Sequence, residues 1–197
     1  MQIVTEEFVD HCAADFPVGF STASSRGRIF VAYYNADHDI TIACREKEDQ
    51  PWTHKVLPSR ANWDSHRAII LAIDKAGCLH VSGNMHADPL VYFKTTEPLD
   101  IETFELVRPM VNADDEARAT YPRILRDNND DLIFMYRLGG SGNGVTIVNH
   151  YDADTGAFKR VSDHPLFDGL NEMSAYQSGP VLGPDGRYHL TWVWRNT

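Results

Sequence analysis

Residues 74–85 read DKAGCLHVSGNM, a glycine-bearing polar turn followed by a run in which apolar residues alternate with others. Such a turn before an alternating run is typical of a β-hairpin. A polar or glycine-bearing turn followed by such a run recurs at residues 24–35 (SSRGRIFVAYYN), 128–139 (NNDDLIFMYRLG) and 183–194 (GPDGRYHLTWVW). The repeats are spaced by 50, 53 and 56 residues when the equivalent positions are Ile29, Leu79, Leu132 and Tyr188.

Each repeat contains enough strand-like segments for a four-stranded sheet. Two further strands follow each of the first three hairpin turns, and an apolar strand precedes each later turn. Four strands at a period near fifty residues indicate the blade of a β-propeller, and a β-sandwich with fortuitous spacing is the alternative. We therefore predict an all-β fold, with one partial propeller domain spanning residues 1–197. Its blades cover residues 18–59, 66–110 and 119–163, with a half blade at 174–197.

Three and a half blades do not close a propeller, which needs roughly four to eight. An open arc of blades leaves strand edges and blade faces uncovered. We therefore expect self-association, or further blades on this or another chain, to complete the ring.

The overall composition excludes several classes of function. The net charge of −10 argues against nucleic-acid binding and against binding to anionic membranes, both of which need a basic surface. The sequence contains no apolar run long enough to span a membrane, and its acidic start does not resemble a signal peptide. Its three cysteines, Cys12, Cys44 and Cys78, form no C-x-x-C motif, so we expect buried free thiols.

Arginine is unusually frequent for such an acidic chain, with thirteen arginines against five lysines. Its planar guanidinium suits carboxylates and sulfates. A local anion-binding site is therefore one interpretation of the cluster in the middle of the chain, formed by Arg60, Arg67, Arg118, Arg123, Arg126 and Arg137.

The repeat also aligns residues that can transfer protons. His66, Tyr121 and Tyr176 come at intervals of 55 residues, each where the first strand of a blade is predicted to begin. His86 and Arg137 fall at the ends of second strands. Antiparallel pairing returns these ends to the side of the blade where the first strand begins, at one mouth of the propeller's central channel. We therefore expect these five side chains to converge.

This combination suits abstraction of a proton next to a carboxylate. The reaction needs a base, a cation that holds the growing negative charge, and an acid for the leaving oxygen. Histidine titrates near neutrality, and a neighbouring arginine can lower the pKa of a tyrosine. Eliminative cleavage of a polysaccharide that contains uronic acid makes these demands.

Four short motifs resemble a known family: S-H-R at 65–67, N-M-H ending at His86, T-Y-P-R at 120–123 and F-M-Y-R at 134–137. They are similar to BNR-4 propeller proteins, which include the ulvan lyases of polysaccharide lyase families 24 and 25, and most of all to family 25. The resemblance implies a seven-bladed propeller that cleaves ulvan, an anionic sulfated polysaccharide, by β-elimination. It implies that His66 and Tyr121 transfer protons and that Arg137 neutralises the uronate carboxylate. His86, Arg67, Arg123 and Trp63 would bind or support the substrate.

The resemblance covers about the first half of the family's domain. It implies no cofactor and no metal ligand in this half, although later blades can carry a structural metal and further substrate contacts. It also implies a secreted or periplasmic protein.

Other functions fit the sequence less well. Sialidases carry an S-x-D-x-G-x-T-W motif, which is absent. A glycoside hydrolase needs two carboxylates, for which the loop residues Asp64, Asp114, Asp115 and Glu116 are candidates. We predict no hydrolase relay at residues 64–66 (D-S-H), because neighbours on an extended strand face opposite ways. A non-catalytic module that binds an anionic glycan or a protein would retain the arginines and the aromatic residues Trp63, Tyr92 and Trp192.

Overall fold

The computed structural model describes residues 5–15, 19–48 and 50–196. This part of the chain contains fifteen strands and one short 3-10 helix at Ile101–Thr103. In chain order the strands are β1 Ser21–Ser25, β2 Arg28–Tyr34, β3 Asp39–Arg45, β4 Thr53–Arg60, β5 Ile69–Ile73, β6 Leu79–Gly83, β7 His86–Asp88, β8 Tyr92–Thr95, β9 Phe104–Leu106, β10 Ala119–Arg126, β11 Leu132–Leu138, β12 Val145–Asp152, β13 Ala157–Arg160, β14 Ser174–Leu182 and β15 Tyr188–Arg195.

The strands form four antiparallel sheets in the order of the repeats. The first sheet has the order β1-β2-β3-β4, and the second has the order β5-β6-β8-β9. The third contains β10 to β13 in sequence, and the fourth is the hairpin β14-β15. The all-β propeller arrangement is therefore confirmed. Within the described residues the sheets do not close into a ring, as expected for a partial propeller.

One strand departs from the predicted blades. The short strand β7 lies within the second repeat but pairs with β10 of the third sheet, where Thr120 lies opposite His86. The segment between β6 and β8 of the second repeat is thereby hydrogen-bonded to the third sheet. This crossover brings the end of the second repeat beside the first strand of the third.

The turns of the second and third repeats share a pattern of hydrogen bonds. In the second repeat, one carboxylate oxygen of Asp74 accepts the backbone N–H groups of Gly77 and Cys78, both at 2.8 Å. Gly77 has φ +101°, a conformation that favours glycine. In the third repeat, Asp127 accepts the N–H groups of Asn129 and Asp131 in the same way. In these two turns an aspartate side chain satisfies the backbone N–H groups of the turn.

The core lies between adjacent sheets. One apolar cluster joins the first and second sheets and includes Phe30, Ile42, Val81 and Phe93. A second cluster joins the second and third sheets around Tyr92, Phe134, Tyr136 and Ile147. Burial of these side chains removes apolar surface from water and holds each sheet against its neighbour. The innermost strand β5 consequently contacts both β1 and β10.

Two of the three cysteines are buried, as expected, and all three are free. Cys44 and Cys78 are buried, whereas Cys12 is exposed, so the expectation of a buried thiol is wrong for Cys12. Cys12 lies outside the named strands and forms an isolated bridge with Asn35. No helix in the described part of the chain is long and apolar enough to cross a membrane.

Candidate active site

A turn before β5, rather than the strand itself, positions His66. The sequence predicts His66 at the start of this strand, but β5 begins only at Ile69. The carboxylate of Asp64 accepts the backbone N–H of His66 at 2.9 Å, and the Asp64 carbonyl accepts that of Arg67 at 3.2 Å. The resulting turn also brings Nδ1 of His66 to 2.7 Å from Asp64 Oδ1. The sequence argument assumed an extended strand at residues 64–66, and this premise is wrong because the segment is a turn.

His86, which follows β6 at the same end of the β5–β6 hairpin, reaches the same carboxylate. Asn84 and Ala87 have φ of 62° and 57°, so the backbone reverses sharply on either side of His86. The His86 N–H donates to Asp88 Oδ2 at 3.1 Å, and its Nδ1 lies 2.6 Å from Asp64 Oδ2. The rings of His66 and His86 are stacked, with centroids 3.9 Å apart and an interplanar angle of 16°.

The environment of Asp64 favours its ionised form. Desolvation raises the pKa of Asp64, but hydrogen bonds from the backbone and side chain of His66 and from the side chain of His86 outweigh it, and the pKa is lowered to about 2. A carboxylate that accepts several hydrogen bonds is stabilised as the anion. Asp64 therefore places a negative charge beside both imidazoles.

A backbone irregularity positions Tyr121. The pairing of β10 with β11 shifts register between Thr120 and Arg123, and Tyr121 has φ 56°. A positive φ is uncommon for a tyrosine and is a strained conformation. The Tyr121 ring lies with its centroid 5.8 Å from that of His66. The guanidinium carbon of Arg137 lies 4.9 Å from the ring centroid of Tyr121.

The pKa of Tyr121 differs from the sequence expectation. Burial raises it, whereas Arg137 lowers it to a smaller extent, and the net direction is upward. The phenol therefore retains its proton near neutral pH. For Tyr176 burial also raises the pKa, but the Ser141 hydrogen bond and the charges of Arg137 and Arg195 outweigh it, so the net direction is downward.

Arg137 is a buried cation whose described hydrogen bonds go to hydroxyl groups. Its side chain donates to Tyr176 Oη at 3.3 Å and to Thr120 Oγ1 at 3.2 Å. Its Nε atom is buried and has no hydrogen-bond partner among the described residues. A Cβ at Gly144 would lie 2.7 Å from Cγ and Cδ of Arg137, so this glycine provides the space that the arginine stem occupies.

Tyr176 completes the cluster from the fourth sheet. Its ring makes an edge contact with Tyr121 at 6.4 Å between centroids, and its hydroxyl lies 3.0 Å from Ser141 Oγ. The guanidinium of Arg195 lies 5.3 Å from the centroid of the same ring. The structure thus brings together His66, His86, Tyr121, Arg137 and Tyr176, the five residues that the repeat aligns.

Three other predicted site residues have protein partners. Arg67 donates to the backbone and side-chain oxygens of Asn84 and to Asp88, each at 3.0 Å, and so holds the turn around His86. Arg123 donates to the carbonyls of Gln177 and Gly179 in the fourth sheet. Trp63 donates from its indole nitrogen to the Asp15 carbonyl at 2.6 Å, but its side chain is largely exposed beside the cluster.

Sequence reasoning missed three contributors to the site. Asp64 was considered only as a carboxylate of a hydrolase, Thr120 was noted only as part of the T-Y-P-R motif, and Gly144 was not considered. A signal for Asp64 was present, because an aspartate side chain commonly accepts the backbone N–H two residues on and so forms an Asx turn. Thr120 and Gly144 carry no such local signal, since their contacts with Arg137 depend on strand pairing.

The donor atoms of Asp64, His66 and His86 are close enough to suggest a metal site, but their ring geometry opposes one. An imidazole lone pair lies in the ring plane, and a zinc ion sits about 2.0–2.1 Å from each ligand nitrogen. Two nearly parallel rings at 3.9 Å cannot both direct their lone pairs at one such ion. Asp127, Asp131 and His150 form another group, in which Lys75 already pairs with Asp131 at 2.9 Å.

The family profile described as "BNR repeat-containing family member" matches residues 28–197. The chain belongs to this BNR-4 family. No curated protein matches the chain by sequence. Membership of the BNR-4 family accounts for the repeated turns and agrees with the four sheets.

Solved structures share the fold of this BNR-4 protein. The polysaccharide lyase Uly1 superimposes with a TM-score of 0.76 at 15% identity, over 98% of this chain and 52% of that chain. A PL25 ulvan lyase bound to -[GlcA(1-4)Rha3S]- gives a TM-score of 0.58 at 15% identity, over 87% of this chain and 44% of that chain. The endo-arabinase of Bacteroides thetaiotaomicron VPI-5482 gives 0.53 at 10% identity, over 98% and 84%.

The BNR-4 chain therefore spans about half the length of the two lyases it resembles. At these identities the likeness concerns the fold.

Proposed function

We propose that this protein is a polysaccharide lyase that cleaves a uronate-containing, sulfated polysaccharide by β-elimination. The observation that carries this proposal is the placement of the buried cation Arg137 against Tyr121, which in turn lies beside His66. The fold shared with the two lyases supports it. The substrate class follows the PL25 lyase, which is described as bound to a glucuronate and sulfated rhamnose disaccharide unit.

Arg137 would bind the uronate carboxylate. The guanidinium donates to two neutral hydroxyl groups, so its charge is not neutralised by either of these partners. A buried positive charge stabilises the extra negative charge that develops on the carboxylate when the C5 proton leaves. Tyr176 and Thr120 would orient the guanidinium.

His66 and Tyr121 would transfer the two protons. Because burial raises the pKa of Tyr121, the phenol retains its proton and suits the role of acid. His66 would then take the C5 proton on its imidazole. The C5–H electron pair forms the C4=C5 double bond, the C4–O4 bond breaks, and Tyr121 donates its proton to O4. The phenolate and imidazolium exchange protons with solvent before the next turnover.

The remaining predicted residues would form the edges of the substrate site. The exposed indole of Trp63 offers a flat apolar surface next to the turn that holds His66. His86 stacks on His66 and would contact the same sugar. Arg67 and Arg123 would act mainly by holding the backbone around the site. A polymer of this kind is encountered outside the cell, so we further propose an extracellular or periplasmic location.

The test is ultraviolet absorbance of the unsaturated uronate when the purified chain is mixed with ulvan. We expect a rise in absorbance that is lost in His66→Gln and in Tyr121→Phe. Ulvan binding without absorbance change in the unmodified chain would overturn the lyase proposal and support a glycan-binding module. New reducing ends without absorbance change would indicate a hydrolase, which needs a pair of carboxylates.

A further inference from the structure

A single carboxylate serves both histidines of the cluster. Asp64 Oδ1 lies 2.7 Å from Nδ1 of His66, and Asp64 Oδ2 lies 2.6 Å from Nδ1 of His86. An ionised carboxylate can only accept hydrogen bonds, so each of these nitrogens must carry a hydrogen. We propose that Asp64 is a positioning residue that fixes both imidazoles in the tautomer protonated at Nδ1. The catalytic consequence of this inference rests on the proposed lyase function, whereas the geometry does not.

The tautomer determines what each ring can do. A neutral imidazole protonated at Nδ1 presents an unprotonated Nε2, which accepts a proton. With both Nδ1 atoms bound to one carboxylate and the rings stacked at 3.9 Å, the two rings are held in nearly parallel orientation. His66 is thereby ready to act as a base. The Asp64 charge also stabilises the imidazolium that forms when His66 takes the proton.

The neighbouring charged groups have their main hydrogen-bond partners elsewhere. Arg67 Nε approaches Asp64 Oδ2 only at 4.0 Å, while the Arg67 guanidinium is bound to Asp88 and Asn84 at 3.0 Å. Asp88 accepts the backbone N–H of His86. The framework charges are therefore paired with one another, whereas both oxygens of Asp64 are directed at imidazole nitrogens. Among the described residues, the one backbone N–H that donates to the Asp64 side chain is that of His66.

The variant Asp64→Asn separates positioning from folding. The asparagine retains one oxygen acceptor, for one of the two rings, but its other group is an NH₂ donor. One of the two rings must then present an unprotonated Nδ1 and carry its hydrogen on Nε2. The readout is the set of ¹⁵N chemical shifts of the imidazoles, measured by NMR at a pH well above the ordinary imidazole pKa. The matched control is Asp152→Asn at the end of β12, where Asp152 pairs with Lys159.

We expect both rings of the unmodified protein to be protonated at Nδ1, and one ring to change tautomer in Asp64→Asn but not in Asp152→Asn. We expect kcat on ulvan to fall by about a hundredfold or more in Asp64→Asn, with little change in KM. A ring protonated at Nε2 in the unmodified protein would overturn the inference, even if the variant does not fold. So would an unchanged pair of tautomers in Asp64→Asn. Absence of lyase activity in the unmodified chain would refute the proposed function alone, because the tautomer measurement does not depend on turnover.

Discussion

His66 and His86 stack face to face at 3.9 Å although twenty residues and an entire hairpin separate them. The turn after Asp64 places one ring and the reversed backbone between Asn84 and Asp88 places the other. Beyond this pair lie Tyr121 and then Arg137, which come from the next sheet. The proposed proton-transfer groups and the proposed carboxylate-binding cation thus come from two different blades, so the site depends on how the blades pack.

Replacing Arg137 by alanine should reduce turnover on ulvan by about a hundredfold or more, since a preorganised charge partner is lost. The measurement is the initial rate of absorbance increase. The matched control is Arg60→Ala, because Arg60 is exposed and pairs with Asp39 in the first sheet. A rate for Arg137→Ala within a few-fold of the control would contradict the proposed role of the cation.

Replacing Tyr121 by phenylalanine should preserve the ring contacts with His66 and Arg137 but remove the proposed acid. We expect a loss of about a hundredfold or more in kcat, with the thermal midpoint changed little. Tyr188→Phe in the fourth sheet is the control for loss of a phenol hydroxyl elsewhere. Retained activity in Tyr121→Phe would show that another group protonates the leaving oxygen.

Replacing Gly144 by alanine should displace Arg137 without removing it. The new Cβ would lie 2.7 Å from two carbons of the Arg137 stem and from the Gly140 carbonyl oxygen. We expect a loss of about 1–3 kcal/mol in the free energy of unfolding, as for other overpacked sites, together with a lower lyase rate. Gly19→Ala is the control, because nothing lies within 4 Å of its added Cβ. Equal stability and activity of the two variants would show that Arg137 can occupy another position.

The stability of the protein should decrease as pH falls below about 6.5. His80 is fully buried between Tyr92 and Asp74, and burial lowers its pKa despite the opposing effect of the Asp74 hydrogen bond. The unfolded chain therefore takes up a proton near pH 6.5 that the folded protein resists, which favours unfolding at lower pH. Burial raises the pKa of Asp74, but the His80 hydrogen bond helps lower it to about 2, so a further loss is expected below pH 3.8.

The measurement is urea unfolding at several pH values between about 7.5 and 5. We expect the free energy of unfolding to depend less on pH in His80→Asn than in the unmodified protein. The control is His164→Asn, at an exposed loop position. An equal pH dependence in His80→Asn would assign the effect to other groups.

Chelation of divalent cations should leave the lyase rate within about twofold of its starting value. The stacked arrangement of His66 and His86 is unsuited to joint coordination of one ion, and the proposed chemistry requires only Arg137 and two proton-transfer groups. The measurement compares initial rates before and after EDTA treatment followed by buffer exchange. A large loss that zinc or calcium restores would show that an ion is required.

Much of the architecture was predictable from local pattern. The polar or glycine-bearing turns and alternating strands place four sheets in chain order, because strand periodicity and turn chemistry are properties of short segments. The spacing of 55 residues likewise predicts that His66, Tyr121 and Tyr176 lie at equivalent positions. Neither argument predicts β7, whose pairing with β10 depends on a partner more than thirty residues away. The raised pKa of Tyr121 was also unpredictable, because the depth of burial is set by packing between sheets.

The sequence by itself determined the repeat, the all-β fold and the set of residue types that can transfer protons in the cluster. Only the tertiary structure decided how those residues are used. In the structure Asp64 contacts two histidines, Arg67 pairs with Asp88, and Arg123 donates hydrogen bonds to backbone carbonyls. The physical reason is that sequence periodicity specifies which way a strand residue faces. Hydrogen bonds between blades depend instead on loop conformation and on donor–acceptor distances, which a local sequence pattern does not specify.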